Sequence, residues 1–296
     1  KFYSSVKDVL STLPYEHEII FVDDGSSDNS AVMLHHIAEE DASVRVYLLA
    51  RNFGHQLALT CGLDHAKGDA IITMDGDMQH PPALIPELVR HWEEGYDVVC
   101  TIRDSTEDAS WAKAFTSNYY KLMNLMANVP IVEGGSDFRL MNRRALATLL
   151  KFREHGRFLR GIVGDLGFKQ AEVHFVAPPR FAGKSKFSVR KMLHFALDGI
   201  AAFSNVPLRM SFYIGLLCGL LSLLMILHIL FVHFFTDDAV SGWATLGVAI
   251  FFLGGVQLIC IGIIGEYVGR VFEEVKHRPL YWVKDSFHFD AGDEKK

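Results

Sequence analysis

The chain has 296 residues, half of them hydrophobic, and a formal net charge of −6 at neutral pH. That balance excludes a general nucleic-acid binder, which would carry a strongly basic domain, while the length allows one globular domain of roughly 200 residues plus further apolar segments. Cys61, Cys100, Cys218 and Cys260 are far apart and form no metal-type or redox-type pair, so they read as reduced apolar residues.

From 16 to about 101, short apolar runs at 18–22, 44–49, 70–74 and 97–101 alternate with helical stretches at 28–40, 54–66 and 83–94. The alternation predicts a βαβ series and a mostly parallel sheet. The first run leads into Asp23-Asp24-Gly25-Ser26-Ser27-Asp28, whose serines and Asp28 suit the cap of the next helix. Capping leaves Asp23 and Asp24 available to accept bonds from a base N–H or ribose hydroxyls. His55, following Gly54, reads either as part of a helix cap or as a diphosphate neighbour.

The third run, Ala70–Thr73, leads into Met74-Asp75-Gly76-Asp77-Met78-Gln79-His80-Pro81-Pro82. Open α/β sheets bind ligands at the carboxyl ends of their strands, which is where Asp75 and Asp77 fall. Two carboxylates there suit a hard cation, Mg²⁺ or Mn²⁺, that also takes substrate phosphate oxygens. A lone Asp-x-Asp is equally a common turn, and it is the second acidic turn at Asp23 and Asp24 that favours a nucleotide cleft. Gln79 and His80 are either contacts to donor or acceptor or caps of the following helix.

Residues 109–128 and 141–152 read as helices, and 168–177 as a strand leading to Pro178-Pro179. Arg180, Lys184, Lys186, Arg190 and Lys191 then cluster in a basic stretch suited to phosphate and anionic head groups. Apolar residues at three- and four-residue spacing over 188–203 predict an amphipathic helix at the membrane interface. Residues 211–235 and 243–265 contain no Asp, Glu, Lys or Arg, and each exceeds the ~20 residues that span a bilayer core. Basic residues flank the pair (Arg190, Lys191 and Arg209 before; Arg270, Lys276, Arg278 and Lys284 after), and the connector carries Asp237 and Asp238. The positive-inside rule therefore predicts a hairpin with both ends, and the large amino-terminal domain, in the cytoplasm.

Val22-Asp23-Asp24-Gly25-Ser26, Arg51-Asn52-Phe53-Gly54-His55-Gln56, Gly62-Leu63-Asp64-His65-Ala66-Lys67-Gly68-Asp69 and Met74-Asp75-Gly76-Asp77 together resemble family 2 glycosyltransferases. Gly134-Gly135-Ser136-Asp137-Phe138-Arg139-Leu140-Met141, Arg180-Phe181-Ala182-Gly183-Lys184-Ser185-Lys186-Phe187 and Gly265-Glu266-Tyr267-Val268-Gly269-Arg270 look like the polyprenyl-phosphate branch, which includes bactoprenol glucosyltransferases and dolichol-phosphate mannose synthases. The resemblance implies a GT-A type α/β domain over 1–187, an amphipathic juxtamembrane region at 188–210, transmembrane helices at 211–235 and 243–265, and a cytoplasmic tail at 266–296. It implies inverting transfer of one sugar, with glucose from UDP-glucose as the best assignment, to undecaprenyl phosphate at a bacterial inner membrane. A homodimer or homotetramer is implied on the same ground alone.

Carried over residue by residue, the resemblance makes Asp77 the metal ligand, with Asp75 meeting the ribose or sharing the cation. Asp24 would accept the N3–H of uracil or guanine while Asp23 orients the turn. Asp137 matches the family's candidate base, although an acceptor phosphate is mostly dianionic at neutral pH, so Asp137 need not abstract a proton and can instead orient the acceptor or the sugar. Arg103, Lys113 and Ser117 match positions that hold the acceptor phosphate, joined by Arg180 and Lys186 of the basic loop. Family members begin with a strand and a short nucleotide-touching segment, whereas this chain starts at Lys1 inside what reads as the following helix, so an incomplete amino terminus is expected. The nearest alternatives are a processive polysaccharide synthase and a non-catalytic membrane scaffold. None of Trp92, Trp111, Trp243 or Trp282 completes the Gln-x-x-Arg-Trp signature of the former.

Overall fold

A computed structural model describes residues 1–104, 135–176, 206–235 and 242–288. Lys113, Ser117, Arg180 and Lys186 lie outside the described residues, as do the helix predicted at 109–128 and the amphipathic helix predicted at 188–203. The described residues form two compact units, one from 1–104, 135–176 and 279–288, the other from 206–235 and 242–278.

The first unit runs α1 (Phe2–Leu10), β1 (Ile19–Asp23), α2 (Ser30–Glu40), β2 (Val44–Leu49), α3 (His55–His65), β3 (Ala70–Thr73), a 3₁₀ turn at Pro82–Leu84, α4 (Ile85–Glu93) and β4 (Val98–Arg103). It continues with β5 (Gly135–Asn142), α5 (Arg143–Leu149), α6 (Leu159–Asp165) and β6 (Gln170–Phe175). After the second unit the chain returns with β7 (Val283–Phe287). The strands form two sheets, ordered β1-β2-β7 and β3-β5-β4-β6.

The α/β class and the βαβ series are as predicted, but the sheets are mixed rather than mostly parallel. β1 with β2 and β4 with β6 are parallel, whereas β7 runs antiparallel to β2, and β5 runs antiparallel to both β3 and β4. The sequence pattern concealed β5 because three of its polar residues, Ser136, Asp137 and Arg139, are buried. A strand buried on both faces shows no clean alternation.

Alternation in the larger sheet does decide which side chains meet. Val98 and Met141 face one core with Leu63, Leu146 and Ile162, while their neighbours Val99 and Leu140 face the other with Val6, Ile85 and Leu88. Helices thus cover both faces, and the carboxyl ends of β3 and β4 open towards the same edge. A cavity of about 520 Å³ lies between β1 and β3, lined in part by Val6, Ile20, Val22, Ile72 and Ile85, with Asp75 and His55 also in its wall.

The second unit is α7 (Val206–Phe235) and α8 (Trp243–Val275). Stretches of 20 and 24 residues within them, Val206–Met225 and Phe252–Val275, are long and apolar enough to cross a membrane. Their apolar side chains, including Phe212, Leu216, Leu220, Leu258 and Ile261, face outward, which is unfavourable in water and matched to lipid.

Candidate active site

The two acidic turns behave differently. In the first, the buried Asp23 carboxylate accepts the Ser26 N–H at 3.0 Å. Asp24 accepts the N–H groups of Phe53 at 2.7 Å and Gly54 at 2.9 Å, tying the turn to the loop before α3. Gly25 lies between, at φ +71°, and a Cβ there would stand 2.6 Å from the Arg51 carbonyl carbon, so only glycine fits.

In the second turn Asp77 is exposed, and one of its oxygens accepts the Gln79 N–H at 3.0 Å. Met78 in that turn has φ +65°, a left-handed conformation uncommon outside glycine. Asp75 points into a cluster of ionisable side chains. His55 Nδ1 lies 3.6 Å from one of its oxygens and His80 Nε2 lies 3.7 Å from the other. The Asp75 N–H donates to His80 Nδ1 at 2.9 Å, and His80 Nε2 is 2.8 Å from Ser136 Oγ. That pattern makes His80 the neutral Nε2–H tautomer, consistent with burial pushing its pKa down. His80 also stacks on Phe138, which places it as part of the site's wall.

His55 Nε2 is 3.1 Å from Asp137 Oδ2, so this one imidazole, the first residue of α3, connects the acidic turn to β5. The bond to Asp137 raises the His55 pKa against the effect of burial, and Asp75 adds to the rise. Asp137 is almost fully buried. Arg160, at the start of α6, grips it through two bonds of 2.9 Å from Nε and Nη2. Arg139 reaches it at 3.3 Å and Gln56 at 3.2 Å. Burial alone would raise the Asp137 carboxyl, but the bonds from His55 and Arg160 override it and hold the group well below the usual carboxylate range.

The backbone explains why these groups converge. The Thr73 hydroxyl donates to the Asp137 carbonyl, pinning the end of β3 against β5 beside their ladder pair Thr73 and Arg139. Gln56 accepts the Leu159 N–H at 3.1 Å through its side-chain oxygen, joining the starts of α3 and α6. His55, Asp75, Asp137 and Arg160 are therefore held by four different elements.

Of the predicted residues, Asp75, Asp137 and His55 come together, with Asp77 in the same turn. Asp23 and Asp24 form the neighbouring turn, and Gln79 lies beside Asp77. Arg103 is exposed at the carboxyl end of β4. Sequence reasoning missed Arg160 and gave Gln56 no role. The available signal was a charged residue, Arg160, opening an otherwise apolar helical stretch next to Phe158 and Leu159. Among the described residues no group of three or more His, Cys, Asp or Glu is arranged to hold a metal.

Residues 2–150 match the glycosyl transferase family 2 model, and residues 206–271 match the GtrB C-terminal hairpin model. An uncharacterised glycosyltransferase of Synechocystis is 42% identical over 284 residues, covering 96% of this chain and 89% of that protein. The bactoprenol glucosyl transferase of Shigella phage SfII is 40% identical over 286 residues, covering 96% of this chain and 93% of its own. A putative glycosyltransferase of Bacillus subtilis is 38% identical over 285 residues, covering 96% and 86%. With the acidic turns at its strand ends and apolar helices where the hairpin model matches, the chain belongs to glycosyl transferase family 2.

Proposed function

We propose that this protein transfers a single glucosyl residue, with inversion, from UDP-glucose to a polyprenyl phosphate of the undecaprenyl type at the cytoplasmic face of a bacterial inner membrane. The observation that carries this reading is the convergence of Asp75, His55, Asp137 and Arg160 at the carboxyl end of β3, on a chain that resembles bactoprenol glucosyl transferases through its hairpin.

The donor set fits a hard divalent cation, Mg²⁺ or Mn²⁺. Asp77 is exposed and Asp75 is 38% exposed in its side chain, and two carboxylates leave coordination positions for water and a diphosphate. Such a cation supplies Lewis-acid stabilisation of the leaving diphosphate when bound. Asp75 and Asp77 would hold it, while His55, kept cationic to higher pH by Asp137, adds positive charge beside the leaving group. Asp24 has carboxylate lone pairs beyond its two backbone bonds for the N3–H of the base. Asp23 shapes that turn.

The acceptor needs no proton removed, because its phosphate is largely dianionic above a second pKa near ~6. Asp137, anionic and clamped by Arg160, is suited to orienting His55 and the sugar hydroxyls rather than to abstracting a proton. Arg103, with Lys113, Ser117, Arg180 and Lys186, is assigned to the acceptor phosphate. The topology supports one-sided placement: the chain leaves the catalytic unit before α7 and re-enters it at Pro279, so two crossings return it to the side it left.

The test is transfer of radiolabelled sugar into the lipid phase by the full chain in detergent, offered UDP-glucose, other UDP-sugars and GDP-mannose with undecaprenyl phosphate, with and without Mg²⁺ or Mn²⁺. Label from UDP-glucose that disappears with EDTA is the expected result. Label from a different donor would change the sugar or base, and no transfer from any donor would sink the reading.

A further inference from the structure

The segment that follows the helical hairpin does more than complete a sheet. β7 pairs with β2 from Val46 opposite Phe287 to Leu49 opposite Val283, with a register shift at Leu48 and Leu49. Such irregularities re-aim the residues beside them. Here the chain just before β7 turns onto the loop between β2 and α3. The Ala50 N–H donates to the Trp282 carbonyl at 3.2 Å. The Trp282 ring meets Phe53 edge to face, with centroids 5.0 Å apart, and the Arg51 guanidinium covers both, 4.6 Å from the Phe53 ring and 5.7 Å from the Trp282 ring.

That loop is the one whose Phe53 and Gly54 N–H groups hold the Asp24 carboxylate. Trp282 is fixed in turn by its neighbour: Tyr281 donates its hydroxyl to Asp64 at 2.7 Å, and Asp64 is held by two bonds from Arg153. Adjacent residues of the returning chain therefore grip α3 near its end, at Asp64, and just before its start, at Phe53. Arg51 and Asn52 are exposed, and Gly54 has φ +96°, so the loop's conformation depends on Asp24 on one side and Trp282 on the other.

We propose that Trp282 is a positioning residue for the donor nucleotide, holding the Arg51–Gly54 loop and, through it, the Asp24 carboxylate. The inference rests on the reading above that the Asp24 turn faces the nucleotide. Its consequence is that the chain leaving the hairpin sets one wall of the donor site, and that the effect falls on the donor and not on the lipid acceptor. Trp282 is 48% exposed and contributes to no core cluster, so its removal acts on the loop before it acts on the fold.

The experiment uses the full chain in detergent and compares Trp282→Ala and Trp282→Phe with the unmodified protein, reading the KM for UDP-glucose, the KM for undecaprenyl phosphate, kcat, and the Kd of UDP by calorimetry. Trp282→Ala is expected to raise the donor KM and the UDP Kd about 10-fold, the scale of weakening one hydrogen bond to the nucleotide, with acceptor KM unchanged. Trp282→Phe, which keeps an aromatic edge against Phe53, is expected to recover most of that loss. Donor and acceptor KM rising together, or a Phe variant no better than Ala, would overturn the proposal, as would unaltered kinetics. If Trp282→Ala fails to fold, Phe53→Leu asks the same question from the other side of the contact, with the same outcomes. Should the unmodified protein bind no UDP and use no nucleotide sugar, the underlying functional reading has failed, a result distinct from a normal enzyme with a normal Trp282→Ala variant.

Discussion

The turns at Asp23-Asp24 and Asp75-Gly76-Asp77 look alike in sequence, each a pair of carboxylates at the end of an apolar strand, yet they do different physical work. In the first, both acids accept backbone N–H groups and the glycine between turn and helix lies against Arg51. In the second, Asp77 is exposed, with one oxygen on the Gln79 N–H, and Asp75 faces two histidines, one of which leads to the buried Asp137. An acid whose oxygens are occupied by amides shapes a site, whereas an acid facing solvent and other ionisable groups can exchange partners when substrate arrives. The pattern Asp-Asp or Asp-x-Asp does not distinguish the two, but the partners do.

The largest effect that sharpens this contrast is expected behind the second turn. Asp137→Asn leaves Arg139, itself almost fully buried, and Arg160 without their shared counter-charge, and breaking a buried ion pair on one side costs about 3–5 kcal/mol. The pH dependence follows from the sign of the shift. A carboxyl whose folded pKa is depressed stabilises the fold fully above its unfolded value near ~3.9 and loses that contribution as pH falls through the folded value. The melting-temperature gap between the unmodified protein and Asp137→Asn should therefore narrow below about pH 4 as Asp137 protonates, and also narrow as pH rises above about 6.5, because the substitution removes the bond that raises the His55 pKa. A change between about pH 5 and 8 that persists when both proteins also carry His55→Gln would mean that Asp137 itself exchanges a proton there, restoring it as a candidate base.

Next comes Asp77→Asn, which removes a charge from an exposed side chain with a single backbone bond. Its melting temperature should barely move, while kcat for sugar transfer falls by about 10²–10³, the usual consequence of losing one electrostatic stabiliser of a developing anion, here the cation that Asp77 is proposed to hold. A variant with full transfer activity would break the contrast, since both turns would then be structural.

Much of the first unit was legible in the sequence. The apolar runs at 18–22, 44–49 and 70–74 correspond to β1, β2 and β3 within a residue, because strands in a βαβ series are short, continuous and bounded by turn residues. β5 was not legible, since Ser136, Asp137 and Arg139 satisfy one another and their neighbours across the chain, and no local pattern reports a partner such as His80 or Arg160. β7 was hidden for a related reason: Val283–Phe287 holds Lys284, Asp285 and Ser286, polar enough to read as tail, and becomes a strand only through β2. The acidic turns were visible as motifs, but the division of labour between them depends on loops that approach from sequence distances of 29 and 30 residues.

The smallest effects are expected in the first turn, and they test whether it is a single device. Asp24→Ala leaves the Phe53 and Gly54 N–H groups without their acceptor, a loss of about 1–3 kcal/mol if both stay shielded from water. Gly25→Ala places a methyl group against the Arg51 carbonyl carbon at a left-handed φ, costing about 1–2 kcal/mol in backbone strain before any displacement. Each change releases the same loop, so the second should cost less once the first is present, and the double variant should fall short of the sum by at least about 0.5 kcal/mol in chemical denaturation. Strict additivity would mean that the turn and the loop are held independently. Asp24 would then be free to serve the nucleotide without a structural cost, and the difference between the two acidic turns would shrink to one of exposure.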